Sequence, residues 1–325
     1  MFKPLLTAAT TALAIAAFAA PALAGRAFVS NEKGNSVTVI DTETFEVIET
    51  VPVGVRPRGI ILSPSGHELY VCTSDMDHVE VYDPETMEFL HTLPSGPDPE
   101  LFVLHPSGNP LYIANEDDNI VTVVDTITHE VITEVPVGVE PEGMAVSPDG
   151  KYVINTSETT NMAHFINTET YDLDINVLVD NRPRYARFTA DGAKLYVTAE
   201  IGGTVNVIDP ATGDEIGKIE FAVSGVPPEA LQPVGMRITK DDKLAFVALG
   251  PSNRVAVIDV ATDEVLEYLL VGRRVWHMDF TPDEKYLFTT NGNSNDVSVI
   301  DVEDLKVIKS IPVGELPWGV AIMPK

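Results

Sequence analysis

Cysteine is nearly absent from this chain, and Cys72 stands alone. A single thiol excludes an intramolecular disulfide framework, a CxxCH haem attachment and a four-cysteine zinc site. Positive charge is scarce too. The 21 Lys and Arg face 49 Asp and Glu, a formal net charge of −28. So negative a surface repels phosphate backbones, which argues against nucleic acid as a partner. No window beyond the first 24 residues keeps a helical period. There is no GxSxG elbow, GxxxxGK[ST] phosphate loop, HExxH or GxGxxG. What the chain does have is apolar side chain, 44% of its residues, enough to bury a large core and too much for disorder.

One long uncharged apolar run occurs, from Leu5 to Ala20, with Lys3 before it and Ala22-Leu23-Ala24 after it. Basic start, apolar centre and A-x-A box form an export signal, with cleavage expected after Ala24. The run is shorter than the ~20 residues of a membrane span, and no cysteine follows to carry a lipid. Residues 1–24 are therefore expected to be removed, leaving a periplasmic protein that starts at Gly25 and does not insert in a membrane.

The rest repeats. Val37-Thr38-Val39-Ile40-Asp41 returns as Val79-Glu80-Val81-Tyr82-Asp83, and again at Val121, Ala163, Val205, Val255 and Val297. The spacing is 42 residues except for one step of 50, and an insertion within 221–232 accounts for the difference. Each repeat holds four short β-branched or aromatic runs separated by turn residues, as in Pro57–Leu62, Leu69–Val71, Val79–Tyr82 and Phe89–Leu93. Four strands per repeat of ~40–45 residues make one propeller blade. The sequence thus predicts an all-β, seven-bladed propeller over residues 25–325. It begins on a second-type strand (Ala27-Phe28-Val29) and ends on a first-type strand (Pro317–Ile322), so the C-terminal strand should complete the N-terminal blade.

The phrases Tyr70-Val71, Val297-Ser298-Val299-Ile300-Asp301, Ile311-Pro312-Val313-Gly314 and Ser147-Pro148-Asp149-Gly150-Lys151 resemble the YVTN-type repeat. Across all seven repeats the chain looks most like the β-propeller proteins associated with pyrroloquinoline quinone (PQQ)-dependent alcohol catabolism. That resemblance implies a setting, periplasmic quinoprotein oxidation, with a quinoprotein dehydrogenase or cytochrome as partner and PQQ as a ligand or as the partner's cofactor. It implies no reaction of its own, because a fold does not carry a function.

Alignment of the repeats exposes one face. The entry to each innermost strand carries Arg58, Glu100, Glu142, Arg184, Val234, Trp276 and Trp318, with Arg56, Arg182, Arg187, Arg237, Arg273, Arg274, Tyr185 and His277 nearby. Eight of the ten arginines fall in these segments. The loops between second and third strands add Glu32, Glu116, Glu158 and Glu200. Arginine forks suit carboxylates, and the tryptophans offer stacking surfaces. The expected role is recognition of a planar polycarboxylate such as PQQ, or of a partner's loop or patch. The alternatives are arginine–glutamate pairing that only holds the loops, a lactonase-like hydrolase using Glu142, Glu158, His277 and Asp279, or a surface adhesion module. No metal site is assigned, since Glu116-Asp117-Asp118-Asn119 departs from the calcium-loop pattern. His67, His78, His91, His105 and His129 read as surface residues, and Cys72 as a buried, inert thiol.

Overall fold

The structure is a computed structural model and describes residues 25–323; the expected export signal lies outside the described residues. Seven four-stranded antiparallel sheets form the blades of a propeller. Blade 1 joins the C-terminal strand Pro317–Met323 to Arg26–Asn31, Ser36–Asp41 and Val47–Pro52. Its register, Arg26↔Met323 and Phe28↔Ala321, unites the two ends of the chain in one sheet. Blades 2 to 7 follow in chain order, each from its innermost strand outward. Their innermost strands are Pro57–Leu62, Pro99–Leu104, Pro141–Val146, Pro183–Phe188, Met236–Ile238 and Val275–Phe280. Among the described residues the only helical pieces are three single turns, and no helix is long and apolar enough to cross a membrane.

The repeated Val-x-Val-x-Asp phrase explains the blade locally. Its alternating residues bury both faces of the third strand, because a blade packs against a neighbour on either side. The aspartate then ends the strand: Asp41 Oδ1 accepts the N–H groups of Glu43 and Thr44 at 2.8 and 2.9 Å. Asp83, Asp125 and Asp259 repeat the same Asx turn. The core lies between blades. Phe28 and Val39 of blade 1, for example, pack with Ile60, Val71 and Tyr82 of blade 2. Outermost strands leave Ile48, Phe89 and Ile216 exposed. The insertion includes a single turn over Pro228–Ala230, with Leu231 buried in the core between blades 5 and 6.

Candidate functional site

Six of the seven loops between blades end in a residue with positive φ just ahead of the innermost strand: Arg56, Asp98, Glu140, Arg182, Arg274 and Leu316, at 52–59°. Side chains disfavour that conformation, and two hydrogen bonds hold each residue in it. Its N–H donates to an Asn or Asp Oδ1 in the preceding blade's turn between second and third strands. Asn35, Asp77, Asn119, Asn161, Asn253 and Asn295 serve in turn, at 2.9–3.2 Å. Its carbonyl accepts the N–H of the second–third loop of its own blade, as Glu140 does from Glu158 and Arg182 from Glu200 at 2.9 and 2.8 Å. This latch draws Glu32, Glu116, Glu158 and Glu200 in beside the strand-entry residues. Its asparagines recur at the repeat period, a polar signal in the sequence apart from the charged residues.

The mouth of the channel is consequently a network of arginines and glutamates. Arg58 pairs with Glu100 and lies 3.2 Å from Glu32. Arg56 contacts Asp98 and Glu100. Arg184 pairs with Glu158, lies 3.0 Å from Glu142 and 3.8 Å from Glu200. Arg182 bridges Glu158 and Glu200 at 2.9 and 3.2 Å, and Arg274 reaches Glu200 at 2.8 Å and Gln232 of the insertion at 3.1 Å. Glu100, Glu142 and Glu158 are buried, whereas Arg182 is half exposed. Neither Glu142 oxygen accepts a well-aligned hydrogen bond.

Burial decides the electrostatics. It pushes the Glu158 carboxyl up to about 7 against the pull of Arg184, and Glu142 adds to the rise. Burial raises Glu142 as well, with Arg184 and Arg58 opposing. Glu100 is raised well above the carboxylate range by burial and then by Glu142. For Arg58, burial acts downward, but Glu100, Glu142 and Glu32 outweigh it and the guanidinium is raised. The mouth therefore sets arginines against carboxyl groups that burial pushes upward, Glu158 to about 7.

Several expected site residues lie elsewhere. Trp318 is 1% exposed, with the Arg58 guanidinium 5.5 Å from its ring and the His277 ring 4.2 Å away, so it presents no stacking surface at the mouth. Trp276 is partly buried and already carries Arg274 at 4.2 Å. His277 is buried inside the channel, beside Tyr185; burial, then Arg237, Arg184 and Arg58, hold it well below the usual histidine range and therefore neutral. Arg187 and Arg237 sit three residues beyond the entry position, about 10 Å further along the innermost strands, and line a cavity at the opposite end of the channel. Asp279 is there too, 3.0 Å from Arg237. Glu116 does reach the mouth. Asp98, Glu100 and Glu116 bring one carboxylate oxygen each within 4.8 Å of one another, the hard oxygen donors a divalent cation takes, although Arg56 and Arg58 already neutralise part of that charge. The sequence reading weighed only the turn at Glu116 and missed this grouping across two loops. Cys72 is fully buried as expected, and burial raises its thiol.

Residues 174–306, from the outermost strand of blade 4 to the third strand of blade 7 and less than half of the chain, match the family model "Lactonase, 7-bladed beta-propeller". No curated protein matches the sequence. Among solved structures, hydrazine synthase of Kuenenia stuttgartiensis is 23% identical with a TM-score of 0.78, over 85% of this chain and 92% of that one. A Bacteroides fragilis protein assigned provisionally as a 6-phosphogluconolactonase is 20% identical with a TM-score of 0.75, over 93% and 99%. A Bacteroides uniformis protein with the same provisional assignment is 18% identical with a TM-score of 0.76, over 92% and 99%. At these identities the likeness is one of fold: this chain is a seven-bladed β-propeller with a lactonase-family match over residues 174–306.

Proposed function

We propose that this protein is a lactonase-like hydrolase that opens an anionic lactone at the channel mouth. The observation that carries the reading is Glu158, a carboxyl pushed up to about 7 and held between Arg184 and Arg182. A group poised there takes and returns protons at neutral pH. In the proposed reaction Glu158, in its ionised form, accepts a proton from water as the water oxygen bonds to the lactone carbonyl. Arg184 stabilises the oxyanion that forms. The ring C–O bond then breaks, the leaving oxygen takes the proton back from Glu158, and a hydroxy acid departs. Arg182, half exposed, covers Glu158, and an anionic substrate would draw it aside. The family match supports the reaction class, and the provisional phosphogluconolactonases among the fold relatives support an anionic sugar lactone.

The sequence-level expectation of a binding protein for quinoprotein oxidation asks more of the same residues. A planar polycarboxylate such as PQQ needs free arginine forks, and Arg58, Arg184 and Arg274 are each engaged by a glutamate. Release of those pairs would leave buried carboxylates unpaired, a cost of several kcal/mol. Export to the periplasm remains part of the proposal, supported by the pattern of residues 1–24.

The test is hydrolysis of glucono-δ-lactone and of its 6-phosphate, followed by acid release with a pH indicator. We expect turnover above the uncatalysed rate, a rate that rises with pH through an apparent pKa near 7, and loss of roughly 10²–10⁴-fold in kcat for Glu158→Gln at little change in KM. Turnover unaffected by that substitution, or none with either lactone, would sink the reading.

A further inference from the structure

The far end of the channel holds a cavity of about 460 Å³, built from the ends of the innermost strands of blades 2 to 6 and the turns that follow them. Its size is that of a small-molecule pocket. Two guanidinium groups line it, Arg187 and Arg237, from equivalent positions of neighbouring blades. At that position four of the seven blades carry an aliphatic residue, and the remaining exception is Asp279.

The two arginines differ in their partners. Arg237 donates to Asp279 at 3.0 Å, to the Tyr185 hydroxyl and to the Met236 carbonyl at 3.0 Å. The Arg187 side chain makes no hydrogen bond and no ion pair among the described residues, and it is only partly buried where it lines the cavity. Its N–H donors open onto the cavity beside a second guanidinium, and the protein supplies them no acceptor. Burial and the Arg237 charge both press its pKa down. Tyr185, Asp279 and Asp242 offset this only in part. Asp242 accepts the Ala190 and Asp191 N–H groups at 2.7 and 3.1 Å, and Asp279 takes Arg237 and the Ile322 N–H. Lys240, also on the cavity, donates to the Pro282 carbonyl at 2.7 Å. Three cations thus meet two carboxylates, in a protein whose net charge is −28. The opposite wall is apolar, with Ile61, Phe102 and Met144.

We propose that this cavity is a binding site for a small organic carboxylate, its carboxylate held bidentately by Arg187 and its apolar body against Phe102 and Met144. The fork of Arg187 matches a carboxylate in plane, and the apolar wall selects against a bare inorganic ion. The site lies at the opposite end of the channel from Glu158 and does not rest on the lactonase reading.

Calorimetric titration of the chain from Gly25 onward with benzoate, and separately with inorganic phosphate, tests it. We expect saturable 1:1 binding of benzoate, at least tenfold weaker binding of phosphate, and at least tenfold weaker benzoate binding by Arg187→Met. That variant should melt no lower than the parent, because the Arg187 side chain makes no hydrogen bond or ion pair that would be lost. Arg187→Lys should also bind more weakly, since it keeps the charge without the fork. Glu158→Gln should bind benzoate as the parent does. No saturable benzoate heat, phosphate bound as tightly as benzoate, or unchanged affinity in Arg187→Met would each overturn the proposal. So would a drop of several degrees in the melting temperature of Arg187→Met, which would make the residue structural.

Discussion

Glu158 shows how a single residue takes its chemistry from its surroundings. An ordinary glutamate titrates near 4.5, and burial against Glu142 moves this one to about 7. Between those values the folded chain binds more protons than the unfolded one, so stability falls as pH rises across the window and is fully present below it. The decline is expected to approach, at most, about 1.4 kcal/mol per pH unit for each group that shifts. Glu142 shifts in the same direction. Denaturant unfolding at pH 5, 6 and 7 should show this slope in the parent, and Glu158→Gln should flatten it. An unchanged slope in the variant would assign the pH dependence to other groups. Nothing in the local sequence around Glu158 announces this, because its neighbours Glu142, Arg182 and Arg184 come from other strands and loops.

At the scale of the element, the latch between blades sets where the charged side chains go. Asn161, itself at φ 55°, accepts the Arg182 N–H at 2.9 Å and so fixes the loop that carries both Arg182 and Arg184. Asn161→Gly keeps the backbone conformation and loses the hydrogen bond, at a cost of about 1 kcal/mol. Asn161→Ala loses the bond and also places a side chain without local support in the left-handed region, for about 2 kcal/mol in all. Chemical denaturation should rank parent, glycine and alanine in that order; alanine equal to glycine would show that the left-handed residue bears no strain. The junction into blade 6 departs from this pattern: Gly203 stands at the asparagine position, and the insertion instead sends Gln232 to Arg274.

Over the whole molecule, closure of the ring depends on one strand. Pro317–Met323 buries Trp318, Val320, Ile322 and Met323 between blades 7, 1 and 2. At about 1.5–3 kcal/mol each, their burial is comparable with the 5–15 kcal/mol that holds a typical domain folded. Deletion of residues 314–325 should therefore abolish the cooperative thermal transition seen by circular dichroism, since blade 1 would lose its innermost strand and blades 2 and 7 a packed face. A melting temperature within a degree or two of the parent would show that the ring closes without this strand.

The sequence by itself determined the propeller. Strand period, turn chemistry and a 42-residue repeat are local properties, and the strand types at the two ends imply the shared blade. It also placed Arg58, Glu100, Glu142, Arg184 and Glu158 near one mouth, because equivalent positions in a ring must converge. Tertiary structure alone decided what those residues do. Position along the innermost strand separated Arg187 and Arg237 from the mouth, since three residues of strand carry a side chain about 10 Å, half the length of a six-residue strand. Packing buried Trp318 behind Arg58 and His277. Which arginine meets which glutamate, and which is left without one, depends on distances between blades that no single repeat encodes. Desolvation, the largest influence on these carboxyl groups, arises only when the ring is closed.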